Sequence, residues 1–189
     1  MKKYKLIIIL IVLGGILGLG ASLITAEVVK HTSGEEFCGS CHSMEPMAKT
    51  FKLDIHGGQN EHGFVAECVD CHLPHDSVFN YMVAKTAHGI NDVFKETFTD
   101  TSKIDWLSRR KNREEFVYDD GCLECHRQLL DKTTAANPKS LVLHAKYKTL
   151  KETEEPLYCV SCHVTIGHDG QLRSELNKTS PEYTFGVEQ

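Results

Sequence analysis

Every cysteine in this chain falls inside one of four copies of a single pentapeptide: Cys38-Gly39-Ser40-Cys41-His42, Cys68-Val69-Asp70-Cys71-His72, Cys122-Leu123-Glu124-Cys125-His126 and Cys159-Val160-Ser161-Cys162-His163. Two thiols three positions apart, with an imidazole directly after the second, form the attachment signature of a c-type haem. Thioethers to the porphyrin vinyl groups hold the ring, and the adjacent imidazole lies under it where it can bind iron. Paired Cys-x-x-Cys motifs can also hold zinc, and exported cysteines can be disulfides. Neither use requires a histidine after every pair, and a disulfide framework rarely confines all its cysteines to close pairs. The recurrence therefore predicts four covalently bound haem c groups, with His42, His72, His126 and His163 placed for one axial position each.

Histidines outside the motifs repeat in the same rhythm. His56 lies between the first two motifs and His144 between the last two; His75 and His168 follow shortly after each pair. This pattern reads as internal duplication of a two-haem unit, and it makes His56, His144, His168 and His75 candidates for the opposite axial positions. His31, His62 and His88 have no such counterpart and are expected to do ordinary work. In the first motif Met44 follows His42 by two residues, so either His42 or Met44 could reach iron there.

These residues need elements to hold them. Lys2, Lys3 and Lys5 precede an uncharged apolar run from Leu6 to Ile24, whose length as a helix is about 28 Å, close to the hydrocarbon thickness of a bilayer. The run is too long for the core of a cleaved leader. The expected organisation is a cytoplasmic N-terminus over 1–5, a transmembrane anchor over 6–24, a connector over 25–37, a periplasmic haem domain over 38–176 and a polar tail over 177–189. The lysines before the helix and Glu27 after it set that orientation. Haem attachment on the outer side of the bacterial inner membrane agrees with it. The connector is too short to carry the first motif far from the bilayer surface.

With about forty residues per haem the polypeptide cannot build a conventional core, so the porphyrins must supply much of it. The expected fold is mainly α with long loops: one N-terminal transmembrane helix, then short helices wrapped around four haems, with little or no sheet. The linker from Thr99 to Asp120 carries Trp106, Arg109, Arg110, Lys111 and Arg113, a solvated basic face or a set of partners for haem propionates. Residues 131–140 read as loop. If Tyr81 to Phe98 is helical, Lys85, His88, Gly89 and Asp92 share one face, and the glycine removes bulk where a flat ligand could approach. A net charge of -5 argues against a nucleic-acid role.

The chain resembles the NapC/NirT family of membrane-anchored tetrahaem quinol dehydrogenases. The likeness rests on Glu36-Phe37 with the first motif and Ser43-Met44, on His56-Gly57-Gly58, on the second motif with Leu73-Pro74-His75, on Lys85 to Asp92, on the third motif, and on Ile166-Gly167-His168. The resemblance implies oxidation of menaquinol or ubiquinol at the membrane and delivery of electrons through four haems to a periplasmic reductase acting on nitrite, nitrate or a similar acceptor, within a hetero-oligomeric complex. One branch of the family implies Met44 rather than His42 at the first haem, Asp92 close to that iron and Lys85 beside the quinol. The same likeness implies His56, His75, His144 and His168 as distal ligands, one more than three further haems require. The alternative expectation is a terminal multihaem reductase acting directly on a small nitrogen oxyanion or hydroxylamine, for which so many histidines leave few irons open.

Overall fold

The computed structural model describes residues 2–101, 104–130 and 138–168. The polar tail expected over 177–189 lies outside the described residues, as do residues 131–137 of the expected loop. Helix α1 (Lys2–His31) is long and apolar enough to cross a bilayer, and none of its apolar stretch is buried within the protein. It does not stop at Ile24. Ala26 to Lys30 contains neither glycine nor proline, and Lys30 and His31 sit in the last turn, where positive charge suits the helix dipole. The connector is therefore helical as far as His31, and Thr32 and Ser33 turn the chain.

Past that turn the elements are mostly a turn or two long. Helix α2 (Glu35–Cys38) leads into the first motif, a 3-10 turn spans His42–Met44, and α3 (Glu45–Phe51) starts on Pro46. Helix α4 (Cys68–His72) is the second motif itself. Helix α5 (Val78–Phe98), capped by Ser77 accepting from the Asn80 amide at 3.1 Å, runs for 21 residues and is much longer than the short helices expected. Helix α6 (Trp106–Arg109) continues as a 3-10 stretch (Arg110–Glu115), and α7 (Asp119–Cys125) ends in the third motif. Helix α8 (Pro138–Leu150) starts within the expected loop, because proline in a first turn gives up an amide that has no helical partner anyway. Helix α9 (Cys159–Cys162) carries the fourth motif. Among the described residues an isolated antiparallel bridge between Gly57 and Val65 is the one β feature.

The second and fourth motifs are built alike. The third residue of each caps its own helix: Asp70 accepts from the Glu67 amide at 2.8 Å, and Ser161 from the Tyr158 amide at 3.0 Å. The residue before it, Val69 or Val160, is buried. Both features are what a duplicated two-motif unit predicts.

Buried apolar side chains are few: Phe51, Ala66, Val69, Leu73, Tyr147, Val160 and Val164 among the described residues. Backbone contact does much of the joining. The Tyr118 amide donates to the Cys71 carbonyl at 2.9 Å, and a Cβ on Gly121 would fall 1.9 Å from the Asp70 carbonyl oxygen. Gly121 thus lets α7 press onto α4. Gly121→Ala should lower stability by about 2–4 kcal/mol, whereas Gly89→Ala, whose Cβ meets nothing within 4 Å, should leave it unchanged or raise it by about 0.5–1 kcal/mol. Thermal melts of the two haem-loaded variants check this; equal midpoints would contradict the close approach at Gly121.

Candidate functional site

The folded chain brings three motif histidines close to three of the histidines outside the motifs. Ring centres are 6.2 Å apart for His56 and His126, 6.2 Å for His72 and His168, and 6.4 Å for His144 and His163. Two imidazoles sharing one metal would each sit about 2 Å from it through nitrogen, with about 1.1 Å more to the ring centre, which sums to about 6.2 Å. These gaps therefore suit a metal that takes two axial nitrogens.

In three of these rings the Nδ1 nitrogen is held as well. His72 Nδ1 donates to the Phe116 carbonyl at 2.8 Å, and His56 Nδ1 to Asp54 Oδ1 at 3.0 Å. His168 Nδ1 lies 3.1 Å from both the Met47 carbonyl and Thr50 Oγ1. Carbonyl and carboxylate oxygens can only accept, so Nδ1 carries the proton and Nε2 keeps its lone pair for a metal. His75 is placed differently. Its Nε2 lies 3.1 Å from the Val69 carbonyl, its amide donates to Asp120 at 2.7 Å, and its ring stacks edge-on against Tyr81 at 5.6 Å. The candidate closest in sequence to its motif is the one whose Nε2 is engaged.

Sequence reasoning passed over the residues that aim these rings. Buried Asp54 accepts from both the amide and Nδ1 of His56 and, through its other oxygen, from the Gly167 amide at 3.1 Å. Gly167 has φ +78°, open to glycine, and this turns the chain just before His168. The Asp-x-His spacing was the available signal for Asp54. Arg110 and Arg113, expected on a solvated face or beside propionates, reach the backbone of the fourth motif instead: Arg110 Nη2 donates to the Val164 carbonyl and Arg113 Nε to the Val160 carbonyl, each at 2.6 Å. Asp119 accepts from the Cys159 amide and the Tyr147 hydroxyl, each at 2.8 Å.

The first motif is arranged separately. The His42 side chain is 81% exposed and lies 3.6 Å from Glu45, while Met44 is half-buried at the end of the 3-10 turn. Ser43 donates to Glu96 of α5 through its hydroxyl at 2.6 Å. Lys85 Nζ, also on α5, donates to the Thr32 carbonyl at 2.9 Å and reaches Ser33 Oγ at 3.1 Å, at the foot of α1. Lys85 and Asp92 both lie close enough to Cys38 to act on its charge, in opposite senses, and the space over Gly89 is open. Burial pulls the Lys85 pKa down from the ordinary lysine value.

None of the eight cysteines is disulfide-bonded, and four of them lie side by side in two pairs, Cys38 with Cys68 and Cys122 with Cys159. These are the first cysteines of the two motifs in each half. Zinc needs about four donors around one point at about 2.0–2.3 Å, and among the described residues no group of three or more His, Cys, Asp or Glu converges in that way. Paired imidazoles beside paired thiols fit a planar macrocycle that brings its own equatorial nitrogens.

Residues 1–172 match the NapC/NirT cytochrome c family, N-terminal region, and the chain belongs to that family. It is similar to the tetraheme c-type cytochrome CymA of Shewanella oneidensis, 27% identical over 88% of this chain and 91% of CymA. It is 30% identical to the cytochrome c nitrite reductase subunit NrfH of Nitratidesulfovibrio vulgaris over 84% of this chain and 82% of NrfH. The cytochrome c-type protein TorC of Escherichia coli is 27% identical over 86% of this chain, which spans only 42% of TorC. The crystal structure of a cytochrome c nitrite reductase NrfHA complex bound to the HQNO inhibitor has the same fold, with TM-score 0.51 at 23% identity over 82% of this chain and 88% of that one. The four Cys-x-x-Cys-His motifs accordingly attach four haem c groups.

Asp54 offers a direct check on the ring-aiming bonds. Asp54→Asn removes the charge beside His56 while keeping the shape, and a charge-assisted bond exceeds a neutral one by about 1 kcal/mol, or about 40 mV for one electron. The midpoint potential of one haem should rise by about that amount with the others nearly unmoved. Spectroelectrochemical titration resolves the change; four unshifted potentials would separate Asp54 from ligand tuning.

Proposed function

We propose that this protein oxidises a membrane quinol, menaquinol or ubiquinol, and passes the electrons to a periplasmic reductase during anaerobic respiration. The observation that carries this reading is the cluster at the foot of α1. Lys85 is bonded to Thr32 and Ser33, Lys85 and Asp92 both act on Cys38, and the space over Gly89 is open. A quinol leaving the bilayer beside α1 would meet this cluster first.

A quinol gives up two protons with its two electrons, so its site needs groups that orient and accept hydroxyl protons. The lowered pKa of Lys85 brings it nearer than an ordinary lysine to the neutral amine that takes a proton. The Asp92 carboxylate, seven residues on, adds an acceptor on the same face. The haem c groups, when bound, supply one-electron carriers within one small domain. In this reading His72 with His168, His126 with His56 and His163 with His144 supply the axial nitrogens. Met44 does so at the first motif, since exposed His42 stands beside Glu45. His75 is then a structural residue.

The lysines before α1 and the acidic Glu27 after its apolar stretch support a cytoplasmic N-terminus and a periplasmic haem domain over 38–176, with the anchor over 6–24, the connector over 25–37 and the tail over 177–189. NrfH is by name a subunit of a cytochrome c nitrite reductase, which favours a partner reductase of nitrite, nitrate or a similar acceptor in a hetero-oligomeric complex.

Lys85→Leu in the full-length, haem-loaded protein should abolish reduction by a menaquinol analogue and leave reduction by dithionite intact. Stopped-flow absorbance at the haem bands separates the two. Wild-type quinol kinetics in the variant would remove Lys85 from the site.

A further inference from the structure

Helix α5 has two unlike sides. At 3.6 residues per turn, Tyr81, Lys85, Asp92 and Glu96 share one side. From it Lys85 reaches the foot of α1, Glu96 holds Ser43, and Asp92 acts on Cys38 and Cys41. About half a turn away, Phe79, Val83, Ile90, Val93 and Phe94 form a stripe with only alanine and threonine between them, and each is 52–75% exposed. Phe98, stacked on Phe94 at 4.9 Å, prolongs it. No charged residue falls in this arc. The α5 charges that act on Cys38 and Cys41 all come from the other side of the helix, from Lys85, Asp92 and Glu96.

A bare apolar stripe of this length on a helix calls for a partner, and the position of α5 identifies one. The middle of α5 is fastened at 2.9 Å to the Thr32 carbonyl, immediately after α1 ends. Thr32 stands eight residues, about 12 Å of helix, past Ile24, and a helix with its side chains is about 10–12 Å across, so with α5 on the bilayer side of that tie the stripe, which faces away from Thr32, falls at the level where the apolar run of α1 ends. Interfacial helices seat their apolar side about 5–10 Å into the boundary between headgroups and acyl chains.

We propose that α5 is an interfacial helix whose stripe of Phe79, Val83, Ile90 and Phe94 is seated in the leaflet from which α1 emerges. Its occupant is lipid. The inference rests on α1 as a span and not on quinol oxidation. Two attachments, one spanning and one lying in the surface, fix both the height and the rotation of the haem domain. They hold the first attachment motif at the membrane instead of leaving it to swing on a single helix.

The test uses the full-length, haem-loaded protein in nanodiscs of phosphatidylethanolamine and phosphatidylglycerol that contain phospholipids with a diazirine in the acyl chain. After irradiation, adducts are mapped by peptide mass spectrometry. Adducts are expected on α1 and on the α5 stripe, and severalfold fewer on Val142 and Leu143, which are exposed apolar residues of α8. Ile90→Glu with Phe94→Glu should remove the α5 adducts, with those of α1 and the haem spectrum unchanged. Adducts on α1 with the stripe no richer than Val142 and Leu143 would overturn the proposal, and adducts on neither helix would overturn the span with it. No quinol is present, so either outcome leaves the proposed activity to its own test.

Discussion

Three pairs of imidazoles are held with ring centres 6.2–6.4 Å apart, a gap of the width that one metal with two axial nitrogens needs. The fold is best understood as the means of keeping three such gaps open. A chain this short, with a membrane helix included, has little apolar material left for a core, and the buried apolar set is correspondingly small. The rings must then be aimed by polar contacts. Phe116, Met47, Thr50 and Asp54 do this for His72, His168 and His56. A buried hydrogen bond left unmade is costly, so each bond fixes orientation more firmly than its own strength suggests.

The same economy explains why buried or half-buried carboxylates and arginines do the joining. Asp54 joins the loop carrying His56 to the loop carrying His168. Asp119 joins α7 to α8 and to the fourth motif. Arg110 and Arg113 close on the carbonyls around α9. Each connects segments far apart in sequence through backbone groups, and such groups are present whatever the neighbouring side chains are. Close backbone approach at Gly121 extends this logic to a position where no side chain is tolerated.

Much of this was legible in the chain. Helical character, the apolar first helix and the four attachment motifs follow from short-range spacing, and covalent attachment is a local event. The distribution of the outer histidines is long-range and could not be read in the same way. Duplication makes His56 the counterpart of His144, yet His56 faces the third motif across the halves while His144 faces the fourth within its own half. His168 reaches back to the second motif, and His75, its counterpart, turns to Val69 and Tyr81. Sequence periodicity registers the doubling of a unit but not the exchange of side chains between its copies. The basic run over 109–113 was ambiguous for a similar reason, because carbonyl partners leave no mark in the sequence.

The first motif departs from the other three, and its departure follows from its position. It lies just past the end of α1, tied by Glu96 and Lys85 to a helix whose opposite side is apolar and bare. A Cβ on Gly89 in that helix would meet nothing within 4 Å, so bulk is absent beside the first motif's partner face. In the proposed reading the three histidine pairs supply closed axial coordination, which suits passage of charge. At the bilayer the chain instead places an exposed His42, a half-buried Met44 and an ionisable pair, Lys85 and Asp92, around an open space. In the proposed reading openness there and closure elsewhere are complementary demands: quinol must enter at one end, and nothing but electrons need move beyond it.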